Sequence, residues 1–223
     1  MSETAVIVGV GPGLGSALVK AFAGEGYTVV AAARKATKQS ALRDVERVVP
    51  VDCDTTQATQ VDALFEQATS IGPLRVAVFN AGTYERGTVV DTDPAQFERC
   101  WRVGAFGGFL VGRAAGRHML PAGQGTILFT GATASLRGGA GFVNLASPKF
   151  ALRAVAQSMA RELGPKGIHV AHVIIDGQIR SESGDADAYL DPRNIAAAYV
   201  GLHRQQRNAW TQELDLRPWS EKF

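Results

Sequence analysis

The sequence predicts an α/β protein, a single domain built on a doubly wound parallel sheet. Short apolar runs alternate with amphipathic stretches along the whole chain. The apolar runs hold β-branched and aliphatic residues with little alternation, which is typical of strands covered on both faces. Strands of this kind that alternate with helices, through right-handed crossovers, form such a sheet. The 223 residues suit one large domain, so we expect a single domain over residues 1–223.

Six strands are predicted from the apolar runs. They are residues 5–8, 28–32, 48–51, 76–79, 126–129 and 170–175. After the first run, Leu14, Leu18 and Phe22 recur at helical spacing, and a similar pattern lies between Leu152 and Leu163. These patterns predict helices that cover the sheet.

Two acid–proline pairs indicate where helices begin. Asp93 precedes Pro94, and Asp191 precedes Pro192. An acid at the N-cap followed by proline at the first helical position is a common helix start. Two long helices are expected, at residues 94–120 and 147–163.

Composition and charge exclude several classes of protein. The formal charge is only +2 and no dense basic run is present, so a nucleic-acid partner is not expected. No apolar stretch reaches the ~20 residues of a membrane span, and the N-terminus lacks a basic segment typical of a secretion signal. Cys53 and Cys100 lack metal-ligand spacing. We therefore expect a cytoplasmic protein with no metal site.

A glycine-rich turn joins the first strand to the first helix. It contains Gly9, Gly11, Gly13 and Gly15. Counted from Gly11, the motif G-x-G-x-x-G would need a glycine at position 16, which is Ser16. Gly9, Gly13 and Gly15 instead fit G-x-x-x-G-x-G. Such a turn lets the backbone approach a pyrophosphate, and the helix N-terminus supplies unpaired N–H groups. The alternative is a glycine-rich turn that binds nothing. The position between strand and helix favours a Rossmann-type dinucleotide site.

The end of the second strand indicates which dinucleotide is preferred. NAD-binding domains place an acid about 20 residues past the turn to bind the ribose 2′-hydroxyl. Residues 29–40 contain no acid but include Arg34 and Lys35. Arg34 could bind a 2′-phosphate, although a solvated basic loop is the alternative. The sequence favours NADP over NAD.

Further motifs occur in a fixed order along the chain. Asp52 follows the third strand, Asn80-Ala81-Gly82 follows the fourth, and Lys149 opens a helical stretch that continues to 163. In this arrangement the chain resembles the short-chain dehydrogenase/reductase family over nearly its whole length. The glycine turn and the resemblance together imply cofactor contacts from Gly9, Gly11, Gly13, Leu14, Gly15, Arg34, Asp52, Asn80, Ala81, Gly82 and Lys149.

The chain departs from the family at the catalytic positions. The resemblance implies that Lys149 would bind the nicotinamide ribose and lower the pKa of a tyrosine four residues earlier. Leu145 occupies that tyrosine position, Ala132 the carbonyl-polarising serine position and Gly104 the relay asparagine position. In the enoyl reductases of the wider family the tyrosine lies seven residues before the lysine, and that position is Phe142 here. The sequence thus predicts a divergent member that lacks the catalytic tyrosine.

Other polar residues are candidates for the missing chemistry. Thr133 lies one residue past the serine position and, with Lys149, is the catalytic candidate, while Tyr189 could reach in from a short lid at 181–191. Asp176 follows the sixth strand. It could act as an acid–base group, or it could cap a turn. His172 lies within that strand and is expected to be a core residue.

Two segments leave the local structure open. Pro148 is harmless if its helix begins near Ser147, whereas an earlier start would set it against the carbonyl of Asn144. The tail at 210–223 is expected to replace the family's closing strand with an ordered terminus that could contact a partner subunit.

Two functions follow from these residues. The first is an NADP(H)-dependent oxidoreductase that transfers hydride between nicotinamide and a small carbonyl, alcohol or related substrate. The second is a catalytically inactive cofactor-binding protein, such as a sensor or a partner subunit. The intact glycine turn argues against a domain that has lost its cofactor. The long helices at 94–120 and 147–163 correspond to the family's subunit contacts, so we expect a homodimer or homotetramer.

Overall fold

Seven parallel strands form one sheet in the computed structural model, which describes residues 2–39, 42, 45–180 and 188–221. The strands are β1 (Thr4–Val8), β2 (Thr28–Ala33), β3 (Val48–Asp52), β4 (Leu74–Phe79), β5 (Gly125–Thr130), β6 (Ile168–Ile175) and β7 (Glu213–Leu216). Their order is β3-β2-β1-β4-β5-β6-β7. This order confirms the predicted doubly wound sheet. It reverses between β1 and β4, and ligands of such folds bind at that point, beyond the carboxyl ends of the strands.

Helices cover both faces of the sheet. They are α1 (Leu14–Gly24), α2 (Ala58–Ile71), α3 (Pro94–Trp101), α4 (Gly107–Met119), α5 (Val143–Leu163) and α6 (Pro192–His203). Along β1, Ala5 and Ile7 face the core formed with α1 and α6, whereas Val6 and Val8 face the core formed with α2, α4 and α5. Burial on both faces explains why the strands lack polar alternation. No helix in the described part of the chain is both long and apolar enough to cross a membrane.

The acid–proline pairs begin helices as predicted. Asp93 caps α3 by accepting a hydrogen bond from the backbone N–H of Ala95 at 2.7 Å. Asp191 caps α6 in the same way through the N–H of Arg193, also at 2.7 Å. In both helices proline stands at the start of the first turn, where its missing N–H has no helical partner.

The predicted helix at 94–120 is not one continuous α-helix. A π-helical turn at Arg102–Phe106 separates α3 from α4, and a 3₁₀ turn at Leu120–Ala122 follows α4. Gly104 lies buried in the π turn. Such turns insert a residue into the helical repeat and are frequent at functional sites. Apolar spacing over a long window does not show this local change of period.

The expected helix start near Ser147 is wrong, because α5 begins at Val143 and contains Pro148. Proline leaves the carbonyl four residues earlier, on Asn144, without its helical donor. Asn144 and Ala146 are buried, so tertiary packing holds the first turn in place. A β-carbon built on Gly104 would lie 2.8 Å from Cβ of Pro148. The π turn therefore approaches α5 at the level of this proline.

The expectation that the tail replaces the closing strand is also wrong. Residues 213–216 form β7, which pairs in parallel with β6 from His172 to Ile175. The strand is short and alternates acidic residues with leucines, which suits an edge position that is partly exposed. The tail therefore closes the sheet.

Candidate cofactor and substrate site

Two glycines of the turn after β1 are required by close packing. Gly9 has φ +88°, and a β-carbon there would lie 2.4 Å from the backbone nitrogen of Ala81. A β-carbon on Gly15 would lie 2.7 Å from the carbonyl oxygen of Gly9. Asn80 donates from Nδ2 to the same carbonyl at 3.1 Å. The glycine turn and the Asn80-Ala81-Gly82 segment thus form one packed unit.

The other two glycines face open space. A β-carbon on Gly11 or Gly13 would meet no atom within 4 Å. Gly13 is the N-cap of α1 and provides no side-chain cap for the first-turn N–H groups. Those groups, and the positive end of the helix dipole, suit a phosphate. Because packing explains Gly9 and Gly15 but neither Gly11 nor Gly13, the turn fits a pyrophosphate.

A cavity of about 250 Å³ lies beside this turn, between the ends of β1, β2, β3 and β4. Its lining includes the predicted residues Gly9, Gly11, Arg34, Asn80, Ala81 and Gly82, together with Cys53, Asp54, Thr55, Thr83 and Val103. The sequence reasoning missed Cys53, Asp54 and Thr55. Their place directly after β3 was the available signal, since strand ends meet at this edge.

Asp52 contacts the loop after β2. Its carboxylate accepts hydrogen bonds from the backbone N–H and the hydroxyl of Thr37, both at 3.0 Å. The backbone hydrogen bond from Thr37 lowers the pKa of this carboxyl group. Asp52 does not belong to the cavity lining, whereas the neighbouring Cys53 does. The cofactor contact expected of Asp52 stays a prediction.

Arg34 lies exposed just past β2, where it lines both the first cavity and an adjoining recess. The recess is bounded by Val10, Ala33, Arg34, Lys35 and Gln39, none of which is acidic. Gln39 donates from Nε2 to the carbonyl of Val10, which ties this loop to the glycine turn. A dianionic phosphate would meet basic side chains here and no carboxylate on the recess wall.

A larger cavity of about 550 Å³ opens at the ends of β5 and β6. Its lining includes Leu14, Asn80, Tyr84, Thr130, Ala132, Thr133, Arg137, Phe142, Leu145, Lys149, Ile175, Asp176, Ile179 and Glu221. Lys149 lies buried in its wall and donates from Nζ to the carbonyl of Thr130 at 2.6 Å. Burial lowers the pKa of Lys149 to about 8. Asn80 lines both cavities, so the two adjoin at this residue and are treated as one candidate site.

The positions that lack catalytic hydroxyls face this larger cavity. Ala132, Phe142 and Leu145 all line it. Leu145 stands one helical turn before Lys149 on α5, so the two side chains lie on one face. Gly104, in contrast, packs against Pro148. The cavity therefore presents apolar side chains at two positions, 132 and 145, where the resemblance implies catalytic hydroxyl groups.

Thr133 and Asp176 form a polar contact in the cavity wall. The Thr133 hydroxyl donates to Oδ1 of Asp176 across the ends of β5 and β6. Nη2 of Arg217 lies 3.1 Å from Oδ2 of the same carboxylate and 2.8 Å from Asp215. Sequence spacing gave no sign of this contact, because the residues come from three separate segments.

Tyr84 lines the larger cavity and is 70% exposed, so its phenol is a hydroxyl that this cavity offers. The other candidate hydroxyl groups are engaged or lie outside the lining. Thr130 hydrogen-bonds at 2.7 Å to Tyr199, whose hydroxyl is fully buried. Ser135 lies 3.3 Å from Nε2 of His172, and burial lowers the pKa of that histidine to about 4, which agrees with its expected core position. Tyr189 stacks under Arg180 rather than lining the cavity. Residues 181–187 of the expected lid lie outside the described residues.

Comparison with known proteins identifies the same family. The profile of the short chain dehydrogenase family matches residues 3–185. A (21S)-21-acetoxyl-apo-melianone synthase SDR of Melia azedarach is 32% identical over 201 residues, which span 88% of this chain and 73% of that protein. A 3-alpha-(or 20-beta)-hydroxysteroid dehydrogenase of Mycobacterium tuberculosis is 34% identical over 175 residues, which span 76% and 66%.

Solved structures agree over the whole length. A short-chain dehydrogenase from Rhodopseudomonas palustris superposes with a TM-score of 0.89 at 41% identity, covering 97% of this chain and 99% of that one. An alcohol dehydrogenase from Thermococcus sibiricus, complexed with 5-hydroxy-NADP, has a TM-score of 0.88 at 22% identity, covering 100% and 99%. The second likeness shows the fold alone. With the family profile and these relatives, the chain belongs to the short-chain dehydrogenase/reductase family.

Proposed function

We propose that the protein is an NADP(H)-binding oxidoreductase that transfers hydride to or from a small substrate, with a degenerate set of acid–base groups. The observation that supports cofactor binding best is the pair of glycines, Gly11 and Gly13, that border open space and have no packing role. The cavities of about 250 Å³ and about 550 Å³ adjoin beside this turn, where the strand order of the sheet reverses. A dinucleotide is long enough to occupy both parts.

Different residues would contact different parts of the bound cofactor. The turn from Gly9 to Gly15 and the N-terminus of α1 would hold the pyrophosphate, and Cys53, Asp54 and Thr55 would border the adenine. Lys149, with Asn80 beside it, would hold the nicotinamide ribose. When bound, the reduced nicotinamide supplies a hydride, and the protein supplies orientation and electrostatics.

The preference for NADPH is proposed from Arg34 and the absence of an acid in its recess. Arg34→Ala should weaken NADPH about tenfold or more, because hydrogen bonds to charged groups contribute ~1.5–3 kcal/mol. NADH affinity should change about twofold at most. Calorimetry with both cofactors measures this. Lys38→Ala is the matched control, since Lys38 is exposed in the same loop but lines neither cavity.

Two results would contradict this assignment. Equal affinity of the native protein for NADPH and NADH would remove the preference for NADP. Equal losses in Arg34→Ala and Lys38→Ala would show that the loop acts only through its general positive charge.

A cofactor-binding protein without turnover is the second candidate. The apolar lining at Ala132 and Leu145 favours it, because neither side chain can donate a hydrogen bond to a substrate oxygen. The two candidates differ in one measurement, since only the enzyme consumes bound NADPH when an acceptor is added.

A further inference from the structure

Among the residues that the structure describes, two acids line the larger cavity, Asp176 and Glu221, and Asp176 is the more buried. Asp176 is only 6% exposed. Thr133 donates a hydrogen bond to one carboxylate oxygen, and Arg217 lies 3.1 Å from the other. Both carboxylate oxygens therefore have a polar neighbour in the cavity wall. Each carboxylate oxygen has a second lone-pair direction, so a ligand can still contact this charge.

A fixed negative charge opposes the reduction of a carbonyl group. Hydride addition to C=O leaves an alkoxide, which family members neutralise through hydroxyl donors. Here the donor positions carry Ala132 and Leu145, and the described lining adds the carboxylate of Asp176, which is paired with Arg217. The ammonium group of Lys149 is directed away, at the carbonyl of Thr130. Two like charges in a poorly solvated cavity repel each other strongly.

Thr133 does not remove this difficulty. A threonine hydroxyl has one hydrogen to donate. In Thr133 that hydrogen is directed at Asp176. The hydroxyl is thus committed to the carboxylate rather than to a substrate oxygen.

We propose that the hydride acceptor in this cavity is an iminium ion, with Asp176 as its counter-ion. The inference rests on the proposed function, since it requires bound NADPH. The iminium carbon gains the hydride with its electron pair, and the C=N π pair becomes the lone pair of a neutral amine. The reduced nicotinamide becomes the oxidised cation, and no proton moves.

This acceptor accounts for the missing donors and the carboxylate together. The iminium nitrogen carries the positive charge before the reaction, so a carboxylate in the cavity wall stabilises the bound acceptor. An alkoxide never forms. The hydroxyl groups absent at Ala132 and Leu145 are then not needed.

The other charged groups of the cavity are compatible with this assignment. Lys149 is directed at the carbonyl of Thr130, where it faces the expected ribose. Arg137 is exposed at the rim of the cavity. Glu221, which carries the opposite charge, is partly buried. Leu14, Phe142, Leu145, Ile175 and Ile179 supply an apolar wall to the same space of about 550 Å³. An iminium carbon within an apolar ring system suits these surroundings.

The test compares two probes of equal size, an N-methyl dihydroisoquinolinium ion and the neutral ketone tetralone. Calorimetry on the cofactor-free protein measures the affinity of each probe. NADPH absorbance then measures turnover of each, corrected for the reaction without protein. Asp176→Asn removes the charge at constant shape. Asp215→Asn is the matched control, because Asp215 contacts the same Arg217 but does not line the cavity.

The native protein should bind the cation at least about tenfold more tightly than the ketone, as expected for a contact with a buried charge. Only the cation should be reduced. Asp176→Asn should abolish the difference in affinity and raise KM for the cation about tenfold, with NADPH affinity unchanged. Asp215→Asn should keep the native preference.

Three results would overturn the proposal: equal affinity for the two probes, a preference that survives Asp176→Asn, or NADPH binding without reduction of the cation. The comparison of probes on the native protein needs no variant, so a poorly folded Asp176→Asn leaves the test intact. A protein that fails to bind NADPH would instead contradict the proposed function, while the calorimetry would still report on the cation site.

Discussion

At the scale of single residues, the glycine turn separates packing from ligand binding. Gly9 and Gly15 are surrounded by backbone atoms, whereas Gly11 and Gly13 border open space. The sequence indicated all four as a group, because spacing alone does not show which of them lie against protein atoms. The structure distinguishes them through the space around each missing side chain.

This distinction predicts different effects for two similar substitutions. Gly15→Ala should lower the free energy of unfolding by about 1–3 kcal/mol, as overpacking does, because the new β-carbon meets the Gly9 carbonyl. Gly11→Ala should leave stability within about 0.5 kcal/mol, the usual range away from packed sites, and weaken NADPH binding. Urea unfolding and calorimetry check both effects. Unchanged NADPH affinity in a folded Gly11→Ala would show that the pyrophosphate lies elsewhere.

Residue types at strand ends were predictable, but their side-chain contacts were not. Arg34, Asn80 and Lys149 were indicated by position, and all three line the cavities. The contact between Thr133 and Asp176 joins residues 43 positions apart. Only the parallel pairing of β5 with β6 brings them together.

At the scale of elements, Gly104 and Pro148 belong to one contact between the π turn and α5. The π turn that carries Gly104 approaches α5 at Pro148 so closely that a β-carbon would lie 2.8 Å from that of the proline. An asparagine at Gly104 therefore has no room. An asparagine at this position requires that one of the two helices move.

This contact predicts which substitutions can restore carbonyl reduction. The double variant Leu145→Tyr and Ala132→Ser should gain about 10²–10⁴-fold in reduction of simple ketones, the usual contribution of general acid catalysis. Both positions line the cavity, and the tyrosine would face Lys149 one turn away. Adding Gly104→Asn should cost about 1–3 kcal/mol of stability, because of Pro148.

Ketone-dependent NADPH absorbance and urea unfolding measure the two parts of this prediction. The single variant Leu145→Phe is the control, since it supplies the ring without the hydroxyl. A double variant that folds, binds NADPH and gains nothing would show that α5 holds position 145 away from the reacting carbon.

Secondary structure was predictable where burial repeats along an element and failed where tertiary packing decides. Five of the first six strands have the burial expected from their apolar runs, whereas β3 is only partly buried. The start of α5 was missed because Pro148 argues locally for a later beginning, while burial of Asn144 and Ala146 holds an extra turn. β7 was missed because a four-residue edge strand with two acids has no apolar signal.

At the scale of the whole molecule, the small residues of α4 face inward. A β-carbon on Gly108 would lie 2.3 Å from Leu152 of α5, and one on Gly112 would lie 2.8 Å from both Phe129 and Met159. These glycines thus allow close approach of α4 to other elements of the same chain. Support for an oligomer comes instead from exposed aromatic residues of α3, α4 and α5: Trp101, Phe109 and Phe150.

We therefore expect a homodimer or homotetramer through this helical face. Phe109→Arg combined with Phe150→Arg should lower the mass to that of a monomer, because both side chains are 43% exposed and charge opposes their burial. Sedimentation at micromolar concentration measures the mass. Val90→Arg is the control, since this valine is 90% exposed in the loop before α3. A native protein that sediments as a monomer would contradict the assignment.

We expect a working dinucleotide site in this protein beside a cavity that lacks hydroxyl groups at positions 132 and 145. The most direct test follows NADPH absorbance while a panel of simple aldehydes and ketones is added to native protein, at an NADPH concentration that calorimetry shows to be saturating. We expect NADPH to bind and its absorbance to stay constant beyond the rate without protein at neutral pH. Failure to bind NADPH would contradict this expectation. So would reduction of carbonyl compounds by the native protein at a rate equal to or above that of the Leu145→Tyr and Ala132→Ser variant.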